Sequence, residues 1–122
     1  MGHNVGVDWR LLSRHFPDVK PVGLLDTLRL ARALHPEQKQ HNLTAWVGRL
    51  HLCAVVSVAA VGSVPHRALW DATAAALLLP SLLADKGEPD LSLSTLAGLA
   101  GVPLQSRAAT ARVAPIQAPL WE

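Results

Sequence analysis

Arg67-Ala68-Leu69-Trp70-Asp71-Ala72-Thr73-Ala74-Ala75-Ala76-Leu77-Leu78-Leu79 is the stretch that decides the class of this fold. From Ala68 onward only Asp71 and Thr73 are polar, and nearly every residue is a strong helix former. A helix this apolar is expected to be buried on most sides. Pro80 predicts a kink, because proline removes an N–H and crowds the preceding turn. Asp85-Lys86-Gly87 predicts the stop.

Other helices line up on either side of it. Val5 to Phe16 pairs Leu12 with Phe16 and leaves Arg10, Arg14 and His15 for water, and Pro17 ends it. Pro21 to Leu25 is the one good strand candidate of the first half. Asp26 reads as the N-cap of a helix running to Leu34, where His35-Pro36 stops it. Asn42 caps a third helix from Leu43 to about Leu50, with Leu43, Val47 and Leu50 on one face. Leu91 to Gly101 reads as a small amphipathic helix capped by Ser92 or Ser94. The expected chain is mostly α with one or two short strands, and without internal repeats. Its predicted divisions are a main unit over 1–84, a short helical extension over 85–102 and a flexible Ala- and Pro-rich tail over 103–122.

Bulk properties agree with a folded chain. Of the 122 residues, 50% are apolar and 16% charged, which excludes a disordered polyampholyte. The net charge of +2 permits a polyanionic partner without demanding one. Cys53 is the single cysteine, so neither an intrachain disulfide nor a cysteine-rich zinc site can form, and a reducing cytoplasmic location is expected. His3, Asn4, Asp8 and Arg10 exclude a signal-peptide core at the N-terminus. The most apolar run, Leu52 to Val64, has thirteen residues where a bilayer-spanning helix needs roughly 20. It is expected to be a buried segment or an apolar loop, and no membrane partner is expected.

Four blocks carry chemistry-bearing side chains. They are Gly2-His3-Asn4-Val5-Gly6-Val7-Asp8, then Asp26-Thr27-Leu28, then Asn42-Leu43, then His66-Arg67-Ala68-Leu69-Trp70-Asp71. Taken singly, each has an ordinary explanation. Asp8 suits the first turn of a helix through the helix dipole, Asp26 is a cap, His66 is a loop histidine and Asp71 is a surface acid. Taken in order, the blocks resemble the DEDDh family of 3′–5′ exonucleases. The first is similar to the family's His-Asn motif with an Asp four residues on. Asp-Thr-Leu and the Asn-Leu helix start are similar to the blocks that follow it. The last resembles the motif of a His followed five residues later by an Asp. The similarity spans residues 2 to 79 and is greatest to the epsilon-like proofreading exonucleases of bacterial DNA polymerase III.

The resemblance implies an RNase H-like α/β domain that hydrolyses phosphodiester bonds at the 3′ ends of DNA, with RNA the less expected substrate. It assigns Asp8 and Asp71 to two Mg²⁺ or Mn²⁺ ions, His66 to the general base, and His3 and Asn4 to substrate. Such chemistry suits these residue types. Two hard cations about 3.5–4 Å apart need several carboxylates, and an imidazole is mostly neutral at pH 7 and able to take a proton from water.

One family motif has no counterpart. The Asp-x-Glu of the family's first strand supplies two of the four metal-binding carboxylates, and no Asp-x-Glu occurs in this sequence. The chain is therefore expected to be the C-terminal part of such a domain and inactive alone. The upstream half would be missing either through a start codon placed too late or through true loss. A non-catalytic helical interaction module derived from the same family is the alternative. At the other end, Gln117-Ala118-Pro119-Leu120-Trp121 resembles the peptide that docks bacterial replication proteins on the sliding clamp, with Gln117, Leu120 and Trp121 as the contact residues.

Overall fold

A computed structural model describes residues 1–104 and is mostly helical. Six helices and two short strands follow in the order α1 (Val5–His15), β1 (Leu24–Leu25), α2 (Thr27–Leu34), α3 (Leu43–Arg49), α4 (Cys53–Ala59), α5 (Ala68–Asp85), α6 (Leu93–Ala100) and β2 (Gly101–Val102). The caps read from sequence are the caps observed. Asp26 accepts from the Leu28 N–H, Asn42 from Ala45 and Ser92 from Thr95, each satisfying an amide that the first helical turn leaves without a partner.

The central helix α5 runs through Pro80 without ending and continues to Asp85. Ser81 Oγ donates to the Leu77 carbonyl at 2.8 Å, bonding a backbone acceptor in the turn around the proline. The stop falls where Lys86-Gly87 places it. Gly87 is left-handed at φ 77°, its N–H reaches Ala84 O, and the Glu88 N–H reaches Leu83 O. This paired closure needs a residue without a Cβ penalty at positive φ.

Burial of α5 differs from expectation. Trp70, Ala74, Leu78 and Leu82 form a ridge at four-residue spacing, joined by Ala75 and Leu83, and these six are its buried residues. Leu69 is exposed. Only the face packed against α2, α3 and α4 leaves water. By length and composition alone, α5 is also the one helix among the described residues able to cross a bilayer.

Residues 85–102, the predicted helical extension, pack onto the helices before them. Leu96 and Ala100 of α6 share one core cluster with Leu30, Ala31, Trp46, Leu78 and Leu82, and β2 pairs antiparallel with β1, Leu24 opposite Val102. Gly101 starts β2 directly after α6 at φ −68°, ψ 138°. A Cβ there would strike the Ala97 carbonyl oxygen, so the glycine serves the abrupt exit from the helix and not a left-handed stop.

The run Leu52 to Val64 is neither a buried segment nor a loop throughout. Its first part forms α4, whose buried residue is Val56, while Val55, Val58, Val61 and Val64 are at least half exposed. A seven-residue helix lying on α5 turns little more than one side chain inward, towards Val47, Trp70 and Ala74. Helix α1 is held more loosely still, with Val5 its one buried residue. The tail residues Gln117, Leu120 and Trp121 lie outside the described residues.

Candidate active site

Thr27 and Asp26 tie the N-terminal block to the body. Gly2 forms a parallel bridge with Asp26, donating to Leu25 O and accepting from the Thr27 N–H. The chain then turns through Asn4 in the left-handed region (φ 62°, ψ 47°), a conformation that asparagine tolerates better than most residues. The Asn4 N–H donates to Asp26 Oδ1 at 2.7 Å. Helix α1 starts there and carries Asp8 in its first turn.

Inside this turn His3 is gripped at both ring nitrogens. Nε2 lies 2.7 Å from the His41 carbonyl and Nδ1 lies 2.8 Å from Thr27 Oγ1. A carbonyl only accepts, so Nε2 carries the proton, while Nδ1 shares the one Thr27 hydroxyl proton with the Gly2 carbonyl, which lies 3.2 Å from Thr27 Oγ1. Burial pushes the His3 pKa below its ordinary 6.5, against the pull of the His41 carbonyl and of Asp26. His3 therefore supports the cleft wall with its nitrogens already engaged, and a substrate there would meet the ring and not a free donor.

A depressed pKa has a consequence for stability. The native state resists protonating His3 more than the unfolded chain does, so this contribution is complete above about pH 6.5 and is lost as pH falls through the lowered native value. Melting temperature should drop as pH falls below about 6.5. In His3→Gln that part of the pH profile should flatten. A wild-type profile in the variant would mean that another group is responsible.

The last block arrives at the mouth of α5. His66 is exposed and left-handed at φ 69°, and its N–H donates to Asp71 Oδ1 at 3.1 Å. Asp71 sits in the first turn of α5 and is half-buried.

These blocks converge. A cleft of about 870 Å³ is lined by His3 and Asp8 from the first block and by His66 and Asp71 from the last. Asn42, Leu43 and Thr44, at the start of α3, form a further wall, and Ala72 and Ala75 contribute from α5. Asp8 bends back towards the chain start, its Oδ2 lying 3.5 Å from where a Cβ on Gly2 would stand. Asn4 does not line the cleft; its backbone shapes the turn that delivers Asp8. Sequence reading makes Asn42 a cap and part of a family-like block without a site role, and its position beside the cleft depends on the packing of α3 against α5.

Among the described residues, no group of three or more His, Cys, Asp or Glu side chains is placed to hold a metal ion. Asp8, Asp71 and His66 by themselves therefore do not fit a pair of divalent cations, which take six or more oxygen ligands each, largely carboxylate and water. What the arrangement offers is two acids and an imidazole along one open cleft with a partly apolar wall. No protein-family model, no curated protein and no solved structure matches the chain.

Proposed function

We propose that this chain carries the later part of a DEDDh-type 3′–5′ exonuclease site, acting on the 3′ ends of DNA. The observation that supports it is the meeting of His3 and Asp8 with His66 and Asp71 in one cleft, although about sixty residues separate the two blocks. In this reading water attacks the terminal phosphorus, the bond to the 3′ oxygen breaks, that oxygen takes a proton from solvent to leave as a 3′ hydroxyl, and His66 receives the proton of the attacking water. The exposed position of His66 leaves its ring open to that water. Asp8 and Asp71 supply part of a cation-binding set, and the remainder belongs to an Asp-x-Glu strand that the 122 residues do not contain.

The test is to fuse the chain behind a segment carrying that strand and to follow 3′-end digestion of single-stranded DNA and RNA. The fused protein should digest DNA with Mg²⁺ or Mn²⁺ and stop on addition of chelator, whereas the 122-residue chain alone should not. Digestion that ignores the chelator, or a fusion that folds and stays inert, would overturn the proposal. The second outcome would favour the reading as a helical interaction module, to which the exposed Val55, Val58, Leu11 and Phe16 lend some support.

A further inference from the structure

Three residues other than glycine adopt left-handed backbone among the described residues, namely Asn4, His51 and His66. His51 has a local explanation. It follows the end of α3, where the His51 N–H reaches Gly48 O and the Leu52 N–H reaches Val47 O, the usual closure of a finished helix. Asn4 and His66 stand before helices, where a left-handed residue ends nothing. Such a conformation is costly for a side-chain-bearing residue and persists only where its surroundings impose it. At both positions the surroundings are the same: a carboxylate oxygen accepts the N–H of the left-handed residue, Asp26 Oδ1 for Asn4 at 2.7 Å and Asp71 Oδ1 for His66 at 3.1 Å.

We infer that Asp26 and Asp71 are a matched pair of positioning residues, each clasping the amide of a left-handed residue and thereby aiming one side of the cleft. The case is strongest for Asp26. Helix α1 buries only Val5, so little besides the turn at residues 2–4 sets its direction and the place of Asp8. Asp26 is 4% exposed, and the same Oδ1 also caps α2 through Leu28 at 2.9 Å. Its main chain is bound to Ala100 O as well, so the clasp is anchored in the core. Asp71 acts over a shorter path, reaching back from the first turn of α5 to fix the backbone of His66. This assignment rests on the proposed roles of Asp8 and His66 only for what the clasps are for. The geometry it predicts is measurable without catalysis, so a failed digestion assay and a failed clasp are separate results.

The experiment uses the full 122-residue chain. Cys53 is exposed and is the only cysteine, so it and an added Leu11→Cys take spin labels that report the separation of α4 and α1. Asp26→Ser keeps an oxygen that caps α2 but is too short to reach Asn4 as well. It should broaden the α1–α4 distance distribution while the melting temperature stays near that of the parent. Asp26→Asn, which retains the acceptor at full reach, should restore the narrow distribution. If a folded Asp26→Ser keeps the narrow distribution, Asp26 is a helix cap and nothing more. For Asp71, the amide shift and φ-sensitive couplings of His66 are read by NMR. Asp71→Asn should keep them and Asp71→Ala should lose them. Retention in Asp71→Ala, or equal loss in both, overturns the clasp at His66, and this pair decides the matter should Asp26→Ser fail to fold.

Discussion

His66→Ala, introduced into the protein completed with an Asp-x-Glu strand, is expected to slow 3′-end digestion by about 10²–10⁴-fold. The size is that of a general base removed while the rest of the site stays in place. The cut is confined to the side chain, because the residue is exposed and its ring makes no hydrogen bond among those described, whereas its backbone N–H to Asp71 survives in alanine. Alanine is no better than histidine at positive φ, so the turn itself gains nothing by the change. Binding of the DNA end should be little altered and the loss should fall on kcat. Asp71→Asn makes the complementary case. It keeps an oxygen for the His66 N–H but loses the negative charge, and it should abolish turnover through weakened cation binding. Single-turnover digestion of a labelled 3′ end over a range of Mg²⁺ concentrations checks both. A His66→Ala enzyme at the parent's rate would remove the imidazole from the mechanism, and an active Asp71→Asn would mean that the last block had been misread.

Trp46→Ala should cost about 3–5 kcal/mol, the range for emptying a buried large aromatic site. A domain with roughly 5–15 kcal/mol of total stability would be brought to the edge of unfolding by it. Trp46 is 2% exposed and belongs to the main core cluster with Leu30, Leu78 and Leu82. Its ring also holds up polar groups. Nε1 donates to His41 Nδ1 at 3.3 Å, the His41 and His35 rings lie 5.8 and 4.8 Å away, and the Arg49 guanidinium sits 4.7 Å above it. Through His41, whose carbonyl receives His3 Nε2, the core is joined to the wall of the cleft. Trp46→Phe keeps most of the packing and loses the Nε1 bond, so it should cost clearly less than alanine. Urea denaturation of the three proteins measures the series. A loss under about 1 kcal/mol in Trp46→Ala would contradict the burial seen here.

Much of the local structure could be read without coordinates because it depends on near neighbours. Asp26, Asn42 and Ser92 cap their helices with side chains that reach only two or three residues ahead, and Gly87 ends α5 because of its own φ. The order of the chemistry-bearing blocks was likewise present in the residues themselves. Tertiary structure decided the rest. Whether α5 is buried all round or along the ridge Trp70, Ala74, Leu78 and Leu82 depends on how many helices lie against it, and composition does not record that number. The run from Leu52 to Val64 looks buried by composition, yet most of its valines face water because α4 offers a single inward position to its neighbours. His3 looked like a residue for substrate, and only the approach of the His41 carbonyl and Thr27 from far along the chain shows its nitrogens engaged by the protein. The cleft exists for the same reason. Caps and stops act over one helical turn, whereas bringing Asp8 and Asp71 to one cleft requires α3 packed on α5 and the Gly2–Asp26 bridge, contacts between residues distant in sequence that no single stretch of it encodes.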